Sequence, residues 1–428
     1  MLTGVGDESM PNLERIEALF RSRRPGHSLP QALYNDADAF AFDLEAIFGR
    51  SWLMVGLEAE LPKPGSYFAL TLGRWPILVV RDRTGALGAF HHTCRHRGSQ
   101  ICADGHGAAA RLVCPYHRWT YELTGELVHA ARMGEDFDPA GHGLKPVQVA
   151  SVGGVIYLCL ADDPPPIKDF QAAFAPLIAP HQLADAKLAF ESTLVEKANW
   201  KLVMENAREC YHCGGQHPEL SRSFPIEARA YFDFGEDSRI EAFNARMAEA
   251  GLPLGPIEGA WWQTIRFALN EGVLSMTEHG RPAVGVPMCD RAGGDIGSLR
   301  WAVEPHGFAH AAADHLFMFS AFPTAPGETV VVSKWFVHKD AQEGVDYDLE
   351  TLTSLWTKTN LQDLALVENN QRGVNSPGYT PGPYSTEAET LAIRFVDWYC
   401  ARAADYFEVD RARARPAAPK RIHAVADR

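Results

Sequence analysis

Four side chains in two short stretches have the types and spacing of metal ligands. "CRH" at 94–96 and "CPYH" at 114–117 each supply one thiol and one imidazole: Cys94 with His96, then Cys114 with His117 after seventeen intervening residues. A zinc finger usually takes its cysteines from one half-site and its histidines from the other. Interleaved pairs suit a binuclear iron–sulfur centre, with two thiolates on one iron and two neutral imidazoles on the other. The lower negative charge raises the potential, so such a centre accepts electrons from a ferredoxin-level donor. "HRGS" and "PYHRW" would set tight turns and the rings of Tyr116 and Trp119 around it.

A second constellation lies in "RECYHCGGQHPEL", residues 208–220. Glu209 and His212 are three apart and would share a helix face. His217, five further on, is out of phase with a continuous helix, but Gly214-Gly215 can end the helix and let the chain fold His217 back beside His212. Two histidines and a carboxylate on one face of Fe(II) leave the opposite face open for O2 and substrate. Cys210 and Cys213 have CxxC spacing, yet iron poised for oxygen chemistry favours imidazole and carboxylate. The expectation is that both pack as small apolar groups. The third ligand must come from elsewhere in the chain.

"CRHRGS…CPYHRWTYELTGEL" resembles the Rieske domain of Rieske non-haem iron oxygenase large (alpha) subunits, and the resemblance runs from about 30 to 400. It implies an α+β fold. A small antiparallel β Rieske domain is inserted in a larger helix-grip-type catalytic domain with an antiparallel sheet and long helices. Residues 1–44 would be the N-terminal helical part of the catalytic domain, 45–165 the Rieske [2Fe–2S] domain, and 166–428 the mononuclear iron domain. The resemblance places one [2Fe–2S] cluster on Cys94, His96, Cys114 and His117, and one Fe(II) on His212, His217 and Asp363. Asp363 falls at the family's late carboxylate in "NLQDLALVENNQRG", with Glu368 as its competitor.

The resemblance also gives Glu209 a task. The acid three residues before the first iron histidine bonds that histidine and a cluster histidine of a neighbouring subunit. Glu209 would thus join His212 to His117 of the next chain, and the assembly implied is a head-to-tail homo-oligomer, most simply a trimer. Electrons would come from NAD(P)H through a flavin or ferredoxin-type reductase, since no GxGxxG follows a strand here. Within the family, "ENARECYHCGGQHPEL", "EGVLSMTEHGRPA" and "SPGYTPGPYS" look most like the glycine betaine, proline betaine and carnitine group. That implies N-demethylation of a quaternary ammonium compound with formaldehyde release; aromatic-ring hydroxylation is the alternative. A quaternary ammonium prefers an aromatic cage, for which Trp261, Trp262, Phe267, Phe319, Tyr379 and Tyr384 are candidates, each of them also a candidate for ordinary core packing.

The rest of the chain must position these groups. Its 428 residues carry 46% hydrophobic and 22% charged side chains, ordinary for a globular enzyme, and allow two or three domains. A net charge of −14 argues against nucleic acid and anionic membrane. The N-terminus lacks a secretory pattern and no apolar run is long enough for a span, so a cytoplasmic location is expected. Eight cysteines are too few for a disulfide scaffold in so long a chain. Helices are expected over 11–24, 36–56 (running into a strand), 198–213, 343–372 and 386–406. Residues 64–162 read as short antiparallel strands, and strands return at 298–304, 315–323 and 329–338. "NSPGYTPGPYS" (375–385) must be a rigid loop, and 411–428 a loose basic tail.

Overall fold

The computed structural model describes residues 12–226 and 238–414; the expectation for the N-terminal eleven residues, and for all but the first four residues of the basic tail, falls outside them. The alternating texture of 53–159 becomes ten short strands. These are β1 (Leu53–Leu57), β2 (Ser66–Leu72), β3 (Trp75–Arg81), β4 (Leu87–His91), β5 (Gly105–Ala108), β6 (Leu112–Val113), β7 (Thr120–Tyr121), β8 (Leu127–His129), β9 (Gln148–Val152) and β10 (Val155–Cys159). They form three antiparallel sheets in the orders β1-β10-β9, β4-β3-β2-β5 and β6-β7-β8. The two stretches that carry a Cys/His pair lie in the turns after β4 and after β6.

The second half builds one seven-stranded antiparallel sheet from β11 (Ala186–Glu196), β12 (Ile257–Glu258), β13 (Trp262–Phe267), β14 (Ser298–Val303), β15 (Gly307–Ala311), β16 (His315–Ala325) and β17 (Glu328–His338). Its order is β11-β17-β16-β15-β14-β13-β12. Alternation in β17 holds to Ser333, after which the strand is buried on both faces up to Val337. The reason is that two layers cover it. On one side the helix Leu349–Val374 lays Trp356 flat on Phe317, ring centres 4.3 Å apart. On the other, Lys334 reaches β1 and the turn after it, donating to the Val55 carbonyl at 3.2 Å and pairing with Glu60 at 2.7 Å. Met54 is held likewise, its carbonyl accepting from His306 Nε2 at 3.1 Å and Ser320 Oγ at 3.2 Å. Backbone carbonyls of β1 thus dock on polar side chains of the large sheet.

The helix Leu349–Val374 starts where the Asp348 side chain accepts from the Thr351 amide at 2.8 Å, later than the expected 343, and runs into the proline-rich loop. Its buried positions recur at three- and four-residue spacing, from Leu352 to Val374. The last helix is Thr390–Ala414, so it takes in the first four residues of the expected tail. Among the described residues no helix is long and apolar enough to cross a membrane.

The expected helix over 198–213 is shorter. Asn199 does cap it, accepting from the Lys201 amide at 3.0 Å, but the helix is only Trp200–Asn206. Two bonds, one long-range and one local, compete with its continuation. Arg208, fully buried, turns inward to Glu304 at 2.7 Å, and Glu209 accepts from the Tyr211 amide. Gly214-Gly215 does not end a helix; it lies inside the short helix Cys213–Gln216. Glu209 and His212 therefore meet across a turn, not along a helix face. The start of this segment is pinned from below by buried Asp43, which accepts from Trp200 Nε1 at 2.9 Å and Tyr399 Oη at 2.6 Å and pairs with Lys201.

Candidate iron centres

The turn after β4 closes with Cys94 N–H on the Ser99 carbonyl at 2.8 Å and Gly98 N–H on the Cys94 carbonyl at 3.0 Å, Gly98 having a φ of +78°. The turn after β6 repeats it: Cys114 N–H bonds the Trp119 carbonyl at 2.9 Å, and Arg118 N–H the Cys114 carbonyl at 3.1 Å. Arg118 takes the left-handed conformation without being glycine, φ 62°. Two like turns therefore present two like pairs. Cys94 and Cys114 are both buried at 2% exposure, whereas His96 and His117 are exposed, their rings 4.6 Å apart. Trp119 stacks on His96 at 4.9 Å. Tyr121 Oη accepts from the Arg95 amide at 3.0 Å and lies 3.3 Å from Cys94 Sγ, within hydrogen-bond reach of the sulfur. Burial pushes the Cys94 thiol above its usual range, with the adjoining Cys114 thiol adding to this. Two buried sulfurs side by side under a pair of neighbouring imidazoles fit a cluster ligated by two thiolates and two histidines.

The second set converges from two elements. His212 and His217 flank the short helix Cys213–Gln216, and Asp363 comes from the middle of Leu349–Val374. His212 Nε2 and His217 Nε2 are 3.1 Å apart, and Asp363 Oδ1 lies 3.3 Å and 3.0 Å from them. Yet Asp363 Oδ1 is a buried oxygen that accepts no well-formed hydrogen bond. Three donors at ligand distances of about 2.1 Å and right angles around one ion would be about 3.0 Å apart. The observed edges match that, so the residues present fit a single ion held on one face by two imidazoles and one carboxylate. Cys213 Sγ also lies within 4.8 Å of the two imidazoles. Its sulfur, however, is bonded to Cys210. The two cysteines thus do not pack as separate apolar groups, as expected, but as a disulfide, and neither is available as a thiolate. Glu368 is not a competitor for the ion: it accepts from the Lys197 amide at 3.0 Å.

The outer face of each imidazole is fixed. Glu209 Oε1 lies 2.5 Å from His212 Nδ1, and Gln362 Oε1 lies 2.7 Å from His217 Nδ1. Gln362 is itself held by its Nε2 on Glu219 at 2.9 Å. Each acceptor keeps a proton on Nδ1 and turns the Nε2 lone pair inward. Burial opposes protonation of His212, but Asp363 and Glu209 outweigh it and push it up to about 9. A cation is favoured where these groups meet. Gln362 escaped sequence reading, although its place beside Asp363 was the available signal.

The pocket beside the three donors is lined by Phe308, Phe319 and Trp356, with Arg300, His310 and Glu196. Of the expected aromatic candidates only Phe319 lies here. Trp261 and Trp262 pack on Phe170 at 5.1 Å and 5.2 Å, in a different part of the core. Phe267 sits behind Phe224, 5.3 Å between ring centres. Tyr379 and Tyr384 line a separate cleft of about 430 Å3 on the other side of His212, where Tyr384 donates to half-buried Glu205 at 2.7 Å. Burial pushes Glu205 up to about 7, against the pull of its two tyrosine donors. Glu196 is buried, has no partner for Oε2 among the described residues, and is pushed up to about 8 by burial and then by Asp363 and Glu368.

Comparison with known proteins gives two family matches: the Rieske [2Fe-2S] domain over residues 51–149, and the ring hydroxylating alpha subunit (catalytic domain) over 183–405. The glycine betaine monooxygenase oxygenase subunit of Chromohalobacter salexigens is 46% identical over 390 residues, 89% of this chain and 87% of that one. Its namesake in Pseudomonas aeruginosa is 41% identical over 424 residues, covering 97% and 98%. The crystal structure of the quaternary ammonium Rieske monooxygenase CntA in complex with L-carnitine shares the fold, with a TM-score of 0.69 at 22% identity over 90% of this chain and 98% of that one.

Proposed function

The chain belongs to the Rieske non-haem iron oxygenase alpha-subunit family, and from that premise we propose that it is the terminal oxygenase that demethylates a small quaternary ammonium compound of the betaine class. One observation carries this reading: His212, His217 and Asp363 converge on a pocket whose remaining wall holds Phe308, Phe319 and Trp356. A quaternary ammonium has no N–H to donate and is drawn to ring faces. The names of the relatives support the same substrate class.

On this reading residues 45–165 carry the cluster, while 1–44 and 166–428 form the mononuclear iron domain. When bound, iron(II) on His212, His217 and Asp363 supplies reductive activation of O2, and a [2Fe–2S] cluster on Cys94, His96, Cys114 and His117 supplies the electrons. The reaction takes O2, two electrons and two protons, converts N–CH3 into N–CH2OH, and releases water. The N–CH2OH cation then loses its hydroxyl proton, the C–N bond breaks, and a tertiary amine and formaldehyde leave. The chain's own residues orient and shield. Glu209 and Gln362 hold the imidazole protons on Nδ1. The aromatic wall seats the ammonium and keeps water from the methyl group.

His117 is exposed and Glu209 is only part-buried, which supports a head-to-tail trimer in which His117 of the partner subunit meets Glu209. Electrons then cross between subunits through hydrogen bonds. They originate in NAD(P)H and arrive through a flavin or ferredoxin-type reductase, in keeping with relatives named as oxygenase subunits.

The test is substrate-dependent oxygen uptake by the holoenzyme with a reductase and NADH, across betaines, choline, carnitine and simple aromatic acids. Formaldehyde equal to the oxygen consumed, with quaternary ammonium compounds only, is the expected result. Uptake with aromatic acids and no formaldehyde overturns it.

A further inference from the structure

The pocket is electrically lopsided. Asp363 and Glu209 line it beside the two imidazoles, with Glu196, whose raised carboxyl is largely neutral near pH 7, and Arg300 is the lysine- or arginine-type cation among its described lining residues. Arg300 projects from β14 and is only 2% exposed. Its guanidinium lies 5.7 Å from the Phe308 ring centre. Across the strand pair it faces His310, which burial first, and then the Arg300 charge, hold well below the usual imidazole range. The local cation is therefore Arg300 and not His310. The His310 ring lies 5.2 Å from Trp356, and Trp356 precedes Asp363 by seven residues on one helix. At about 1.5 Å per residue this sets the Arg300 end about 10 Å from the Asp363 end. Phe308 and Phe319, stacked at 4.8 Å, line the pocket as well.

We propose that Arg300 anchors the carboxylate of a zwitterionic substrate, with the ammonium against Phe308, Phe319 and Trp356 and an N-methyl group directed at the His212–His217–Asp363 face. The planar guanidinium matches a carboxylate with two parallel hydrogen bonds, and it does so where water is excluded. Arg300 thereby selects betaines over quaternary ammonium compounds that end in a hydroxyl or a methyl group. The inference rests on the demethylation reading and specifies which end of the substrate goes where.

The experiment compares glycine betaine, choline and tetramethylammonium in the wild-type holoenzyme, in Arg300→Met and in Arg300→Lys. Formaldehyde release gives kcat and KM, and calorimetric titration of protein carrying the cluster but no mononuclear iron gives Kd. Wild type is expected to favour betaine by about a hundredfold or more in kcat/KM, the scale of two charge-assisted hydrogen bonds. In Arg300→Met the ratio of betaine to tetramethylammonium falls toward one through KM and Kd, and Arg300→Lys recovers part of it. Equal losses on all three substrates would make Arg300 structural and sink the proposal. So would a wild type that takes all three alike, an outcome that needs no variant and leaves demethylation intact. Turnover of aromatic acids alone overturns both the anchor and the reading beneath it.

Discussion

Glu209 Oε1 lies 2.5 Å from Nδ1 of His212, while Nε2 of the same ring points the other way, 3.3 Å from Asp363. One imidazole thus joins a part-buried carboxylate on its outer side to a set of converging donors on its inner side. The carboxylate fixes the ring and raises its basicity. In the proposed head-to-tail assembly it would also offer a short bonded route for electrons from the neighbouring subunit.

Replacing Glu209 by Gln keeps an acceptor for His212 but removes the charge. Both metal centres are expected to assemble, and the cluster to be reduced normally. Re-oxidation of the reduced cluster in the presence of O2 and substrate should slow by about a hundredfold or more. Stopped-flow absorbance of the cluster reads this directly, and wild-type re-oxidation rates in the variant would break the proposed link.

Asp363→Ala removes one of three donors whose mutual distances are 3.0 Å, 3.1 Å and 3.3 Å. Mononuclear iron should be lost while the visible spectrum of the cluster persists, because Cys94 and Cys114 lie in another domain. Metal analysis beside the absorbance spectrum separates the two. Loss of both signals would mean that the centres fold together.

Gln362→Leu tests an outer group. Its Oε1 accepts from His217 Nδ1 at 2.7 Å. Removing such a support typically lowers metal affinity by about 10- to 100-fold. Chelator competition should show that loss, with Gln362→Glu restoring affinity and Gln362→Leu not.

How far this site was readable from sequence depended on how local its determinants were. His212 and His217 lie within one short stretch, and the cluster turns are encoded by six residues each. The helix expected to carry Glu209 stops at Asn206 because a distant residue decides it: Arg208 turns inward to Glu304, nearly a hundred positions away. The pocket wall was least legible for the same reason. Phe308, Trp356 and Arg300 come from three elements whose meeting depends on the order of strands in the sheet. No local pattern distinguishes them from Trp261 or Trp262, which are equally aromatic and pack elsewhere.

Two buried histidines predict acid sensitivity. Burial, aided by Arg266, lowers His181 to about 3, and burial lowers His306 to about 4. Both are neutral in the folded protein at pH 5, whereas the unfolded chain protonates them below about 6.5. The stability they allow is fully present above 6.5 and is lost as pH falls from there toward their folded values. At pH 5 each costs about 2 kcal/mol. Urea unfolding followed by circular dichroism at pH 7 and pH 5 should show that loss, and His306→Gln should reduce its slope. An identical slope in the variant would assign the sensitivity to other groups.

Lys334 and Glu60 are 2.7 Å apart, and Glu60, its side chain fully buried, also faces His106 at 2.8 Å. Burial alone would raise the Glu60 carboxyl; Lys334 and His106 reverse this and hold it below the usual range. Lys334→Met leaves the buried carboxylate with His106 as its remaining ionisable partner and should cost about 3 kcal/mol, the low end for breaking a buried pair. Glu60→Gln combined with Lys334→Met should recover most of that, since no lone charge remains. Because two domains meet here, unfolding should be followed by two probes, the visible absorbance of the cluster and the far-ultraviolet signal. In Lys334→Met the cluster signal is expected to be lost at lower urea than the far-ultraviolet signal. Coincident and unshifted transitions would mean that the apolar contacts between the domains, not this ion pair, hold the cluster domain against the large sheet.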